Sequence, residues 1–415
     1  MFLRLSNTNL SVVPGFNNLL NDKCIVKFSS LLQSNIKCRN PENTQSYNII
    51  SYDKKELNND NIPTHGLCRS VIINSENKVI CYSPPKSINV DDFCSKYKSM
   101  PENIITQQLV EGTMINVFWD NSIGLWEIST KNTVGATSNF FKSQNSKTFR
   151  QMFFEAAAHC KLSLDQLDTN YCYSFVLQHP ENRIVVQFTQ PCLYLIAIYS
   201  IDNTPNDISV YSHDIYDSKT QDFFSRTSIK FPHISNKSYD CANYSDLFNL
   251  YASKSTPVNE LGVVIYNKAT GERTKIRNPG YENIRQLRGN QPKLQFHYLT
   301  LRSQGKVNDF LKFYPENKKE FSQFREQVHL FTNMLFQNYI NCYIKKEKPL
   351  GEYNHQYKTH MFNIHKKYVN ELKEKNLYVT NSVVIEYVNN LPPQLLMYCL
   401  NYELRKPISI VSDVV

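Results

Sequence analysis

The sequence predicts an α+β protein in which sheets and helices are segregated along the chain, an antiparallel β region being followed by an all-helical C-terminal domain. Three observations carry this. Short apolar or alternating runs rich in β-branched and aromatic residues, punctuated by turn formers, dominate from Val71 to about Ile276. Beyond about Gly305 the apolar residues recur at spacings of three and four instead. At 415 residues the chain is long enough for two or three domains, expected at 1–60, 61–300 and 301–415.

Residues 1–60 are mixed and polar and close on Asn58-Asn59-Asp60-Asn61, a loop-like cluster. Met114–Trp119 and Leu125–Thr130 flank Asp120-Asn121-Ser122 and read as a hairpin. Ser146–Lys161, with Phe149, Phe153, Ala156 and Ala157, reads as a helix. Tyr173–Gln178 and Arg183–Phe188 are expected to pair around His179-Pro180, with Phe175 and Leu177 on one face and Ser174, Val176 and Gln178 on the other. Val176 is thus the apolar member of an otherwise polar face. Leu193–Ser200 reads as a buried strand, and the polar region from Asp202 to Ser255 as a partly helical insertion.

In the C-terminal third, Phe321, Phe324, Val328, Phe331 and Leu335 share one helix face, in a run closing near Lys345-Lys346 and Pro349. Tyr357, Met361, Ile364 and Tyr368 mark a second helix, and Val383–Asn389 and Pro392–Leu404 two more. Such stripes are core. Lys345, Lys346, Lys348, Lys358, Lys366 and Lys367 form a basic face, either simply solvated or in contact with phosphates. His355, His360 and His365 are spaced by five, a rotation of roughly 140° per step, so they do not share a face and no metal site is expected there.

Composition narrows the function classes. A net charge of +9 suits a polyanionic partner, and 26 Tyr and 24 Phe supply many surfaces for stacking bases. The 11 cysteines contain no C-x-x-C pair, which points to a reducing compartment and away from a disulfide framework or zinc site. No run approaches the ~20 apolar residues of a membrane span. Glycine is scarce, 11 in all, so Gly112 and Gly262 stand out as places where backbone must come close to a ligand or another strand, an ordinary bulge or turn being the alternative. Richness in Asn, Lys, Ile and Tyr fits an A+T-rich genome, that of a large cytoplasmic DNA virus or a protist.

Six short strings then follow one another in order. They are Cys68-Arg69-Ser70-Val71-Ile72; Pro84-Pro85-Lys86; Leu109-Val110-Glu111-Gly112-Thr113; Phe175 to Val185, with His179-Pro180-Glu181-Asn182-Arg183-Ile184 at its centre; Leu261-Gly262-Val263-Val264-Ile265; and Lys275-Ile276-Arg277 before Gln286-Leu287-Arg288-Gly289-Asn290. From about His65 to Asn290 this series resembles the phage-type RNA ligases of the covalent nucleotidyltransferase superfamily, which also holds DNA ligases and mRNA capping enzymes. The resemblance implies an antiparallel, ATP-grasp-like nucleotidyltransferase domain, a helical C-terminal domain that recognises RNA, ATP as cofactor, and nucleotide and RNA as partners.

Where that family carries its lysine nucleophile this chain has Leu109, and where it carries two carboxylates it has Val176 and Leu261. Hydrocarbon side chains can neither attack an α-phosphorus nor hold the hard divalent ion that neutralises leaving phosphates, so Mg2+ is not expected to be tightly held and no metal site is assigned. The positions resembling phosphate-binding cations remain: Arg69, Lys86, Lys275 and Arg277, with Glu111 and Gly112 beside them. Glu111 shares Leu109's face and is placed to touch a ribose or metal, whereas alternation turns Gln108 and Glu260 to the opposite face. Lys131, expected on the next strand, is the candidate relocated nucleophile. Four cations converging within ~5–8 Å without carboxylates would repel by about 2–3 kcal/mol per close pair at an effective dielectric near 20, which calls for a bound anion unless each finds another partner.

Three functions follow: a catalytically inactive or impaired RNA-ligase-like protein that grips a nucleotide or RNA phosphate; an active ATP-dependent RNA ligase with a relocated lysine; or a structural or virion-associated protein on a ligase fold, its pocket closed by Leu109, Val176 and Leu261. A viral origin would add other viral proteins as partners and the host cytoplasm or virion as location, with no membrane association.

Overall fold

A computed structural model describes the whole chain except residues 22–24, 39, 41, 99, 101, 140–145, 206, 234–242 and 406–415. It divides into two compact units, Met1–Arg285 and Gln286–Val415.

The first unit holds fourteen described strands: β1 (Arg4–Asn9), β2 (Lys27–Phe28), β3 (Leu31–Lys37), β4 (Ser46–Tyr52), β5 (Val71–Ile73), β6 (Val79–Cys81), β7 (Ile104–Gln108), β8 (Thr113–Asp120), β9 (Leu125–Ser129), β10 (Cys172–Gln178), β11 (Cys192–Thr204), β12 (Asp207–His213), β13 (Gly262–Asn267) and β14 (Arg273–Arg277). They form three antiparallel sheets, ordered β1-β12-β11-β10-β8-β9, β14-β13-β7 and β2-β3-β4-β5-β6. One face of the six-stranded sheet, with Ile115, Val117, Phe175, Leu177 and Leu195, buries against α1 (Phe149–His159), whose Met152, Phe153 and Ala156 point inward. A capping box between Thr148 and Gln151 starts that helix. Phe118, Tyr199 and Val210 join the core of the five-stranded sheet. In the three-stranded sheet Val263, Ile265 and Ile276 pack against Phe93 of the short helix Val90–Lys96 and Leu247 of the helix Tyr244–Tyr251. The period of two along a strand turns Val264, Lys275 and their row to the other face.

The 114–119/125–130 hairpin forms, with Asn116 opposite Ser129. Several expectations change. Residues 183–188 are irregular, with bends at 184–186, rather than a strand, because β10 is already paired on both sides, by β8 and β11. The region from Asp202 to Ser255, outside its undescribed residues 206 and 234–242, is not a mere insertion, since β12 pairs with both β11 and β1 inside the largest sheet. Residues 1–60 do not stand apart either: β4 pairs with β5 across that boundary, and the second division falls after Arg285 rather than after residue 300.

The second unit is helical. Its long helix α2 (Lys318–Tyr339) buries Phe321, Val328, Phe331 and Leu335, α3 (His355–Lys367) buries Met361 and Ile364, α4 (Asn381–Asn389) buries Val384 and Val388, and α5 (Pro393–Leu400) buries Leu396 and Cys399. Most of the expected stripes therefore form its core, while Phe324, Tyr357 and Tyr368 are only half-buried. His360 is interior, 2.9 Å from the Tyr387 hydroxyl and 3.0 Å from Cys399 Sγ, while His365 stacks on Tyr343 at 3.9 Å. On the basic face, Lys345 pairs with Glu347 and Lys367 with Glu386.

Candidate anion-binding site

The segment Leu109–Gly112 is not itself a strand. It links β7 of the three-stranded sheet to β8 of the six-stranded sheet, anchored by the Leu109 amide donating to Gly262 O at 3.0 Å. Gly112 has φ +146°, and a Cβ there would lie 2.4 Å from Leu177 O, so the crossing against β10 needs glycine. Gly262 has φ +111°, and its Cβ would lie 2.1 Å from Ile276 O, so β13 can meet β14 only without a side chain. Both glycines serve close approach of strand to strand.

Glu111 does not reach toward a ligand. It is 4 % exposed, its carboxylate accepts from the amides of Val185 (3.0 Å) and Val186 (3.0 Å), and the Tyr281 hydroxyl also bonds to it. The carboxylate thus ties the irregular 183–188 segment to the crossing. Leu109 and Leu261 do not seal the pocket: both line a cavity of about 430 Å3, together with Gln108 and Glu260. Strand alternation does not separate these pairs, since β7 ends at Gln108 and β13 begins at Gly262. Val176 is buried and would meet a Gly112 Cβ at 2.6 Å.

The cations sit on the other face of the three-stranded sheet. Arg273, Lys275 and Arg277 alternate with the buried Thr274 and Ile276, so all three project from one face of β14, toward the cleft between the two sheets. Burial, reinforced by Arg273, Arg69, Arg277 and Lys86, pushes the Lys275 ammonium well below its usual range. Burial and the same neighbours, Arg277, Arg69 and Arg273, lower Lys86, whose Nζ donates to Ser87 O at 2.9 Å. Burial also lowers Arg69. Four of the expected positions are therefore one electrostatic cluster, with Arg277 the exception in pairing: its Nη1 lies 2.7 Å from Glu282 Oε1. Among the described residues Arg69, Lys86, Lys131, Arg273 and Lys275 have no carboxylate within ion-pair distance.

Lys131 joins the cluster's edge. It stands in the turn after β9 rather than on a strand, its Nζ lies 4.4 Å from the Tyr52 ring centroid, and Ser70 Oγ donates to its carbonyl at 2.9 Å. Burial, then Lys54 and Arg69, lower its pKa to about 8. Arg273 was missed in the sequence, although Arg273-Thr274-Lys275-Ile276-Arg277 carries the period-two signal that would have found it. Burial and Arg69 lower it to about 10.

The donor set does not fit a tightly held divalent ion. Glu111 is committed to backbone amides, Glu282 to Arg277 and Arg285, and no cluster of three His, Cys, Asp or Glu side chains suited to a metal occurs among the described residues. No helix among the described residues is long and apolar enough to cross a membrane.

These features define an α+β protein whose sheets face each other across a cation-lined, carboxylate-poor cleft. No protein-family model matches the chain. Over 100 residues it is 29% identical to an RNA ligase of Rhodothermus phage RM378, a stretch spanning 22% of this chain and 22% of that protein. Solved structures of the Naegleria gruberi RNA ligase are similar at TM-scores of 0.35 (a point mutant with ATP and Mn, 11% identity, 50% of this chain and 58% of that one) and 0.32 (with PPi, 12% identity, 62% and 94%). That likeness is too loose to assign any residue. The sequence match is a similarity to an RNA ligase confined to those 100 residues.

Proposed function

We propose that this protein is an RNA-ligase-like binder of nucleotide or RNA phosphate, catalytically inactive or strongly impaired. The observation that carries the proposal is the cluster of Arg69, Lys86, Arg273 and Lys275, each lowered in proton affinity first by burial and, for all but Arg69, also by neighbouring cations, and none with a carboxylate partner among the described residues. Protein charges so placed are compensated or bind an anion. The family's nucleophile position holds Leu109, and its carboxylate positions hold Val176 and Leu261, so the anion is gripped without an amine at the usual place to attack it.

Lys131 favours a second reading, an active ATP-dependent enzyme with a relocated lysine. At a pKa of about 8 roughly a tenth of its amine is unprotonated at pH 7, far more than for an ordinary lysine. In that reaction Nζ would attack the α-phosphorus, forming a P–N bond as the bridging P–O bond breaks, with pyrophosphate leaving and the amine's proton passing to solvent.

Incubation with α-labelled ATP or GTP and Mg2+ or Mn2+, run on a denaturing gel beside a thermal-shift titration, separates the readings. A thermal shift without covalent label is expected. A label mapping to Lys131 establishes the enzyme, and neither signal leaves a structural or virion-associated protein. Single-stranded RNA affinity should fall with salt at a log-log slope of about −2 to −3, from ~0.7 per contact over three to four phosphates. A host cytoplasmic or virion location, and partners among other viral proteins, belong to this proposal only if the chain is viral.

A further inference from the structure

The cavity of about 430 Å3 beside Leu109 and Leu261 has a chemistry opposite to that of the cation cluster. Arg69, Lys86, Arg273 and Lys275 do not line it, and none of its described lining residues is a lysine or arginine, in a chain of net charge +9. Two carboxylates, Glu111 and Glu260, line it instead, together with the rings of Phe188 and Tyr251 and the aliphatic Leu109 and Leu261. Glu111 is spent on backbone amides and the Tyr281 hydroxyl, but its negative charge stays in the wall. Glu260 is exposed, and its carboxylate has no hydrogen-bond or ion-pair partner among the described residues.

Internal hydrogen bonds hold the rim of this cavity in place. Asn278, 1 % exposed, donates from its side-chain amide to the carbonyls of Pro257 (2.8 Å) and Glu260 (2.9 Å) and from its backbone to Leu261 O (3.0 Å). The Glu260 amide donates to Pro257 O at 2.9 Å, which closes the turn that carries the carboxylate. Gln178 Nε2 donates to Glu111 O at 2.9 Å and the Gln108 amide to His233 O at 2.8 Å. With these backbone groups used, the wall offers a ligand mainly carboxylate, aromatic face and hydrocarbon, in a volume within the range of small-molecule pockets. Carboxylates repel a phosphate, whereas aromatic faces and carboxylates both attract a positive group. We infer that this pocket binds an organic cation, an amine or guanidine on an apolar stem, with Glu260 as its counter-charge and Phe188 and Tyr251 as its aromatic wall. The site is separate from the anion-binding cluster, and neither reading depends on the other. A free polyamine and the lysine side chain of a partner protein offer the same head group.

The test is titration of the full chain at pH 8 with hexylamine, hexan-1-ol and hexanoate, followed by ligand-observed NMR. The stem stays constant while the head group passes from positive to neutral to negative. Wild type should bind the amine about tenfold tighter than the alcohol, the scale of a partly exposed charge contact joined to a cation–π contact, and hexanoate weakest of the three. Glu260→Gln, at an exposed position, should bring the amine down to the alcohol while leaving alcohol affinity and the thermal shift with ATP unchanged. Glu260→Lys should invert the order, placing hexanoate above hexylamine. Spermidine binding tighter than a capped lysine tripeptide identifies a free polyamine as the source, and the opposite order identifies a partner's side chain. Equal affinities for amine and alcohol, tighter binding of hexanoate by wild type, an amine preference that survives Glu260→Gln, or no binding of any probe each overturn the inference. Because the ATP response is read separately, any of these results leaves the anion-binding reading standing, and a protein that binds the amine but no nucleotide loses that reading and keeps this one.

Discussion

Two buried charges of the first unit are treated in opposite ways. Glu127, whose side chain is fully buried, receives hydrogen bonds on one oxygen from Asn40 (3.2 Å), Asn43 (3.0 Å) and the Cys38 thiol (3.4 Å), and on the other from the Ile128 amide (2.9 Å) and Arg150 (2.5 Å). Lys275, inside the cleft, has a row of cations instead and no carboxylate partner. The same fold builds a complete counter-charge in one place and withholds it in another. On the proposed function, the charge left unneutralised is the part that meets an external anion, and the contrast between the two regions is what the following substitutions test.

Breaking the satisfied side gives the largest expected effect. Arg150→Met strands a buried carboxylate and should cost about 3–5 kcal/mol, the range for removing one member of a buried pair, as measured by denaturant unfolding. Nucleotide affinity of the fraction that remains folded should not change. If affinity falls with stability, the two regions are not independent and the comparison fails.

The cleft side should respond with the opposite sign. Lys275→Met removes a desolvated ammonium from among like charges, and at about 2–3 kcal/mol of repulsion per close pair as an upper bound, the ligand-free protein should gain roughly 1–2 kcal/mol. The same substitution should remove most of the thermal shift produced by ATP. A variant both less stable and unaltered in ATP response would mean that Lys275 is a structural cation with a partner of its own.

How much of this was visible beforehand follows from the range of the interactions. The hairpin at 114–130, the helix at 149–159 and the C-terminal stripes depend on neighbours a few residues apart, and the sequence displays them. The pairing of β1 with β12, or of β7 with β13, joins residues more than 150 positions apart, and no local pattern announces it. That is why 183–188 read as a strand when β10 had no free edge, and why residues 1–60 looked separate. Arg69, Lys86 and Lys275 were legible as cations, but the role of Glu111 was not. Two of its partners are backbone amides 74 and 75 residues away, which carry no side-chain signature, and the third, Tyr281, is more distant still.

The smallest effect lies at the edge of the cluster and concerns proton binding. In the folded chain Lys131 loses its proton near pH 8, against an ordinary value of 10.5. Below about 8 both folded and unfolded chains hold the proton, so the cost of burying the charge is present in full. Between about 8 and 10.5 the unfolded chain alone holds it, so stability rises with pH and the cost is relieved. Wild type should therefore be less stable than Lys131→Met at pH 7, by a margin that narrows up to pH 10.5, as read by parallel unfolding curves. A saturating phosphate ligand should flatten this dependence, because a bound anion restores the proton affinity that burial, Lys54 and Arg69 remove. A margin that is constant with pH would assign Lys131 to ordinary surface charge. One that narrows with pH but ignores phosphate would keep Lys131 strained and place it outside the anion's reach, confining the unneutralised region to Arg69, Lys86, Arg273 and Lys275.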